Sequence, residues 1–385
     1  MRKKMILRPR EIGSRFYHQL SYESAAMNRA TSLYLDLARF IAALVVFGGH
    51  VSGQRFTGGL FWQFGPYMSH AVTVFFVLSG FVIRYATDQR ETTAHAYGIS
   101  RAARIYSVAL PALAATFVLD SIGHHIHPDY YSARWGYEST GQPLSYLLCL
   151  TFLNQIWFLH ADPGSDLPYW SLGYEVWYYV IFGVFLFHAG KWRWLALGGL
   201  LIFVGPKIVS MLPLWLFGVA AYNVCARRKI TCAGGLALWA GSLALWIGYE
   251  LWAQDNGRWM TPLFAALRRE ELPQDFLVAF LFAINLIGFH AAADWLGPLL
   301  APFARPIRWL AGATFTLYLL HLPISQFLTT VVPWPPTAAA TRAVILGGTL
   351  ALVFVVASVT ERRKNAWRRG ITRFIAIVFP GKQAA

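Results

Sequence analysis

Three ionisable residues lie inside one apolar stretch, Leu33 to His50, LYLDLARFIAALVVFGGH. Arg39 follows Asp36 by three positions and precedes His50 by eleven. At about 100° per residue, eleven steps make three turns plus roughly 20°, so on a helix Arg39 and His50 share a face about 16 Å apart along the axis. Asp36 is one turn below Arg39 on that side. Ionisable groups are costly in lipid and face a cavity or a partner. A neutral imidazole suits general-base work on a hydroxyl. A guanidinium is a planar fork for carboxylates and phosphates.

Two further titratable groups extend this pattern. Glu175 lies within YWSLGYEVWYY, and His321 belongs to a seam of Thr314, Tyr318, His321 and Ser325 spaced along one helical face. His50, Glu175 and His321 are the catalytic candidates, expected to share one polar chamber. Each alone has a plainer reading: an interfacial histidine with a satisfied hydrogen bond, or an arginine that neutralises Asp36 or snorkels to the surface. Arg84, Arg101 and Arg104 form a basic cluster at a membrane entry. The plain reading is membrane anchoring, and the functional one, for Arg101 and Arg104 one turn apart, is a fork for phosphates. Trp170, Ser171, Tyr178 and Tyr318 are the substrate-side candidates. Tyr130, Tyr131, Trp135, Tyr169 and Trp170 read either as interfacial belt and core or as rings that stack on a bound substrate. In FFVLSGFVI, Ser79-Gly80 reads as close helix packing rather than a nucleophile.

The elements that must carry these residues are membrane spans. Of 385 residues, 56% are hydrophobic and 13% charged, and mean hydropathy is +0.44. A soluble domain carries about 25% charged residues. Apolar runs recur over 33–53, 66–84, 104–122, 169–188, 192–206, 209–226, 230–252, 275–293, 308–331 and 342–360, so the fold class is an all-α polytopic membrane protein of about ten spans. The stretch 144–160 is short and interrupted by Asn154, Gln155 and His160. If it does not cross, 25 of the 33 Lys and Arg fall on the inner side and 7 on the outer, with Arg39 in the first span. If it crosses, the sides carry 16 each. The positive-inside rule selects the first arrangement. It places both termini in the cytoplasm and makes 144–160 a re-entrant or interfacial helix on the outer side. Residues 1–32 read as a basic cytoplasmic arm and 362–385 as a basic cytoplasmic tail. The net charge of +15 lies between spans, which excludes a nucleic-acid partner and points to the lipid bilayer. Cys149, Cys225 and Cys232 have neither metal-ligand nor disulfide spacing, so no metal is expected.

The motif set resembles the acyltransferase-3 family of integral membrane O-acyltransferases. The resemblance runs from Leu35 to about Arg362. It rests on LDLARFIAALVVFGGH, VFFVLSGFVIRY (74–85), the Arg-x-x-Arg of SRAARIY (100–106), PYWSLGYEVWYY (168–179), FTLYLLHLPI (315–324) and Glu361. It implies a cytoplasmic acyl-CoA donor, acetyl-CoA above all. The implied acceptor is a hydroxyl of a cell-surface glycan or its lipid-linked precursor, of exopolysaccharide or O-antigen type. It further implies catalysis at His50, donor binding at Arg39, Arg101 and Arg104, and a place in the bacterial cytoplasmic membrane. The ending ERRK departs from the Glu-Arg-Pro ending common among relatives, which leaves the role of Glu361 open. Polar residues along a membrane core are equally expected of a transporter or flippase, so that alternative stands at this point.

Overall fold

The computed structural model describes residues 27–132, Tyr137 and residues 141–378. Residues 1–26 of the expected N-terminal arm, Trp135 and residues 379–385 of the tail lie outside them. Among the described residues there is no strand. Eight segments of the described residues are long and apolar enough to cross a bilayer, so the chain is an all-α polytopic membrane protein.

The first helix, α1 (Arg29–Val51), begins at Asn28, whose side chain accepts from the Thr31 N–H at 2.7 Å. It is followed by α2 (Met68–Gln89), α3 (Ala94–Ile126), the short α4 (Gln142–Leu150), α5 (Trp170–Phe187) and α6 (Lys191–Arg227). Next come α7 (Cys232–Asn256), α8 (Leu272–Ala291), α9 (Thr314–Val331) and the last span, α10 (Ala339–Arg363), which contains a π-helical turn. A tail helix, α11 (Lys364–Val378), packs against α3.

The ten expected runs map onto these helices with two informative differences. At 1.5 Å per residue α6 is about 55 Å long, nearly twice a bilayer core. It breaks at Gly205 (φ 80°, ψ 175°), just before Pro206, into two arms that correspond to the expected runs 192–206 and 209–226. Helix α9 stands outside the eight apolar segments, because His321, Pro323, Ser325 and Gln326 lower its hydropathy. It is nevertheless almost wholly buried. Its surroundings are therefore other helices, which can satisfy polar side chains that lipid cannot.

The stretch 144–160 is helical only at its start. Helix α4 is about 14 Å long, half a bilayer core. Beyond it the chain runs irregularly to the turn before α5, with Phe152 and Trp157 at φ of 58° and 54°. Asn154 and Gln155 are fully buried. The Trp157 N–H donates to the Val204 carbonyl at 3.0 Å, which the break at Gly205 has freed. Lys207 Nζ donates to Gln155 Oε1 at 2.6 Å and to the Leu159 carbonyl at 2.8 Å. The expectation of one helix here is corrected to a half-length helix plus an irregular return. The return is stable because the broken α6 supplies its hydrogen-bond partners.

Helices α2 and α6 meet backbone to backbone. A Cβ at Gly80 would collide with the Trp215 carbonyl, and one at Gly218 with the Val77 carbonyl. Only paired glycines permit this approach. It brings Trp215 Nε1 to Ser79 Oγ, to which it donates at 3.1 Å.

Candidate active site: two chambers divided by Tyr318

Helices α1 and α9 pack together and bring His50 to His321. His50 Nδ1 lies 3.0 Å from His321 Nε2, and His321 Nδ1 lies 2.8 Å from the Leu317 carbonyl. A carbonyl only accepts, so His321 Nδ1 carries its ring's proton. In the neutral ring Nε2 is then the acceptor. His50 must donate to it from Nδ1, and the lone pair of His50 is left on Nε2. A backbone carbonyl thus fixes the tautomer of both rings through one relay.

His50 lines a chamber of about 220 Å³ with Met68, Ser69, Trp170, Arg269, Glu271 and Tyr318 among its walls. A second, smaller chamber of about 50 Å³ is lined by Arg39, Ser79, Arg104, Ser171, Glu175, Phe315 and Tyr318. The two share only Val72 and Tyr318. Tyr318 is held edge-on by Phe75, with ring centroids 5.2 Å apart, and its hydroxyl accepts from Ser171 Oγ at 2.9 Å. With Val72 it forms the wall common to the two spaces.

In the arginine chamber, Ser79 Oγ donates to Glu175 Oε1 at 2.7 Å, and the Tyr179 hydroxyl donates to the same oxygen. Arg39 pairs with Asp36 at 3.6 Å. Arg104 lies over the Phe315 ring, and no carboxylate lies within 4.0 Å of its guanidinium among the described residues. Glu361, whose role the sequence leaves open, caps α9. Its carboxylate accepts from the Phe315 N–H at 3.1 Å, the Thr316 N–H at 3.0 Å and Thr316 Oγ1 at 3.1 Å. These N–H groups are the orphan donors of a helix N-terminus, and a carboxylate there also meets the positive end of the helix dipole.

The sequence candidates divide accordingly. His50 and His321 touch, while Glu175 stands in the other chamber beside Arg39, Arg104 and Ser171. Arg101 and Arg104, one turn apart, point to different places. Arg101 pairs with the buried Glu91 at 2.5 Å, and Arg104 enters the chamber. Arg84 is held by Asn223 at 3.0 Å and Asp88 at 3.4 Å. Tyr178 is fully buried and donates to the Ile208 carbonyl at 3.0 Å, outside both chambers. The polar seam of α9 also splits. Thr314 lines the arginine chamber, and Ser325 bonds to Thr349 Oγ1 of α10 at 3.0 Å. Of the described stacking candidates only Trp170 lines a chamber, and one face of its ring is covered by Arg269 at 4.1 Å. Sequence reasoning missed Arg269 and Glu271. Their one signal is the charged run RREE (268–271) immediately before α8.

Among the described residues no cluster of His, Cys, Asp and Glu has the arrangement of a metal site. The sequence model of the acyltransferase-3 family, described as an acyltransferase domain, matches residues 32–360. The chain belongs to this family. It is therefore a membrane acyltransferase, and the match spans both chambers. No curated protein and no solved structure matches the chain.

Proposed function

We propose that this acyltransferase moves an acetyl group from cytoplasmic acetyl-CoA to a hydroxyl of a cell-surface glycan or its lipid-linked precursor, with His50 as general base. One observation carries the reading. His50, its tautomer fixed through His321, lines one chamber, and a chamber lined by Arg39 and Arg104 shares Tyr318 and Val72 with it. The bias of Lys and Arg between spans supports an orientation with Arg39 and Arg104 towards the cytoplasm and His50 towards the outside, in a bacterial cytoplasmic membrane. The arginine chamber is too small for CoA, so it takes the acyl end while the nucleotide stays at the membrane surface.

In this mechanism the acceptor hydroxyl gives its proton to His50 Nε2 as its oxygen attacks the thioester carbonyl. The resulting imidazolium keeps its Nδ1–H on the His321 lone pair, a charge-assisted bond that strengthens as charge develops. The C–S bond then breaks, and His50 returns the proton to the departing thiolate. Tyr318 accepts its hydrogen bond from Ser171, so its own proton is free for the oxyanion. Glu175 holds Ser79 and Tyr179 beside the arginines and positions the donor side.

The test is acetyl transfer by the purified protein in lipid nanodiscs, using labelled acetyl-CoA and membrane-extracted lipid-linked glycan. Label in the glycan that disappears in His50→Ala is the expected result. Full transfer by His50→Ala sinks the mechanism. Label retained on the protein without acceptor would replace direct transfer by an acyl-enzyme route. Failure of acetyl-CoA to stabilise the protein at saturation would remove acetyl-CoA as the donor.

A further inference from the structure

The histidine chamber contains a cation that the chemistry above does not use. Arg269 lies over Trp170, with its guanidinium carbon 4.1 Å from the ring centroid and 5.3 Å from that of Tyr174. One terminal nitrogen donates to the Tyr174 hydroxyl at 3.1 Å. Its Nε is buried and has no hydrogen-bond partner. Among the described residues no carboxylate lies within 4.0 Å of it, although Glu271 lines the same chamber.

The backbone that presents Arg269 is a built turn. Arg268 sits at φ 54°, a left-handed conformation unfavourable for a side-chain-bearing residue. The turn is closed by Arg268 N–H to the Ala265 carbonyl at 2.8 Å, Arg269 N–H to Phe264 at 3.1 Å and Leu272 N–H to Arg269 at 3.0 Å. A guanidinium fixed by two aromatic rings and a braced turn has little rotamer entropy left to lose on binding.

We infer that the acceptor sugar carries a carboxylate, which Arg269 binds beside His50. The inference rests on the acceptor side of the reading above and adds the class of sugar: a uronic acid residue, or its immediate neighbour in the glycan, rather than a neutral hexose. Guanidinium and carboxylate match as planar forks, and Arg269 lines the same chamber as His50. The Arg269–Trp170 stack forms one wall of the chamber, and the sugar ring lies between that wall and His50.

The test is equilibrium titration of the full-length protein in nanodiscs, read by thermal stabilisation. The probes are D-glucuronate, D-galacturonate, D-glucose, D-galactose and glucose 6-phosphate. The expected result is that uronates bind about tenfold to a hundredfold more tightly than their neutral parents, the worth of a charged hydrogen-bonded fork. Arg269→Gln abolishes the preference, and Arg269→Lys restores part of it because charge survives without the fork. Equal binding of neutral sugars overturns the inference, as does absence of any uronate response. A response to glucose 6-phosphate alone overturns the carboxylate in favour of a phosphate. A preference that survives in Arg269→Gln removes Arg269 from it. Acetyl-CoA binding by the wild-type protein is measured separately, so a failed donor reading and a failed uronate preference are told apart.

Discussion

His321 touches no substrate in the proposed mechanism, yet its replacement should be felt in turnover. Its Nε2 accepts from His50 Nδ1 at 3.0 Å, and its Nδ1 is anchored to the Leu317 carbonyl at 2.8 Å. Remove the ring, and His50 loses both the partner that fixes its tautomer and the acceptor that shares its developing charge. A hydrogen bond to a charged group is worth about 1.5–3 kcal/mol. At about 1.4 kcal/mol per tenfold, that is a loss of roughly 10- to 150-fold in kcat. His321→Phe is the informative variant, because the site is fully buried against Phe47 and an aromatic ring limits the cavity. The assay is steady-state acetyl transfer with acetyl-CoA varied, for wild type, His321→Phe, His50→Ala and the double variant. KM for acetyl-CoA should stay within about twofold, since His321 lies outside the arginine chamber. The double variant should be no slower than His50→Ala alone, because the two rings act as one unit. Additive losses, or a His321→Phe enzyme at wild-type kcat, refute the relay.

Other outcomes follow from the same geometry. Glu361→Gln keeps a hydrogen-bond acceptor at the start of α9 but removes the charge from its dipole. It should lower stability by about 0.5–1 kcal/mol, and Glu361→Ala by about 1–2 kcal/mol, read as melting temperature in detergent. Gly80→Ala drives a methyl group into the Trp215 carbonyl. It should separate α2 from α6, costing about 1–3 kcal/mol and most of the activity, whereas Gly248→Ala, with open space around its Cβ position, should be neutral. Asp166 lies just before α5, fully buried, with both carboxylate oxygens unpartnered. Burial first, and then Asp162 and Asp120, push it well above the ordinary carboxylate range. Its folded form therefore holds a proton that the unfolded chain releases near pH 4. Stability should be fullest below that pH and fall as pH rises towards the folded value. Asp166→Asn should flatten this slope and raise the melting temperature at neutral pH, and an unchanged pH profile would contradict the assignment.

The sequence alone carried the class of fold and the family. Spans are legible because burying backbone in lipid demands long helices, and long helices demand apolar runs. The spacing of Arg39 and His50 is legible because a helix repeats its face, which needs no tertiary structure. The ERRK ending, unclear by itself, acquires a role only when α10 returns its Glu361 to the start of α9. What the tertiary structure decided is which side chains meet. One turn separates Arg101 from Arg104, but Glu91 takes the first and the chamber the second. Tyr174 and Tyr178 look equivalent in YWSLGYEVWYY, yet one holds Arg269 and the other bonds to Ile208. His50, Glu175 and His321 form no single chamber, because Tyr318 stands between them. Such choices depend on the rotation of each helix about its own axis against its neighbours. Crossings as close as Gly80 on Gly218 set that rotation, and periodicity along a single helix carries no record of it.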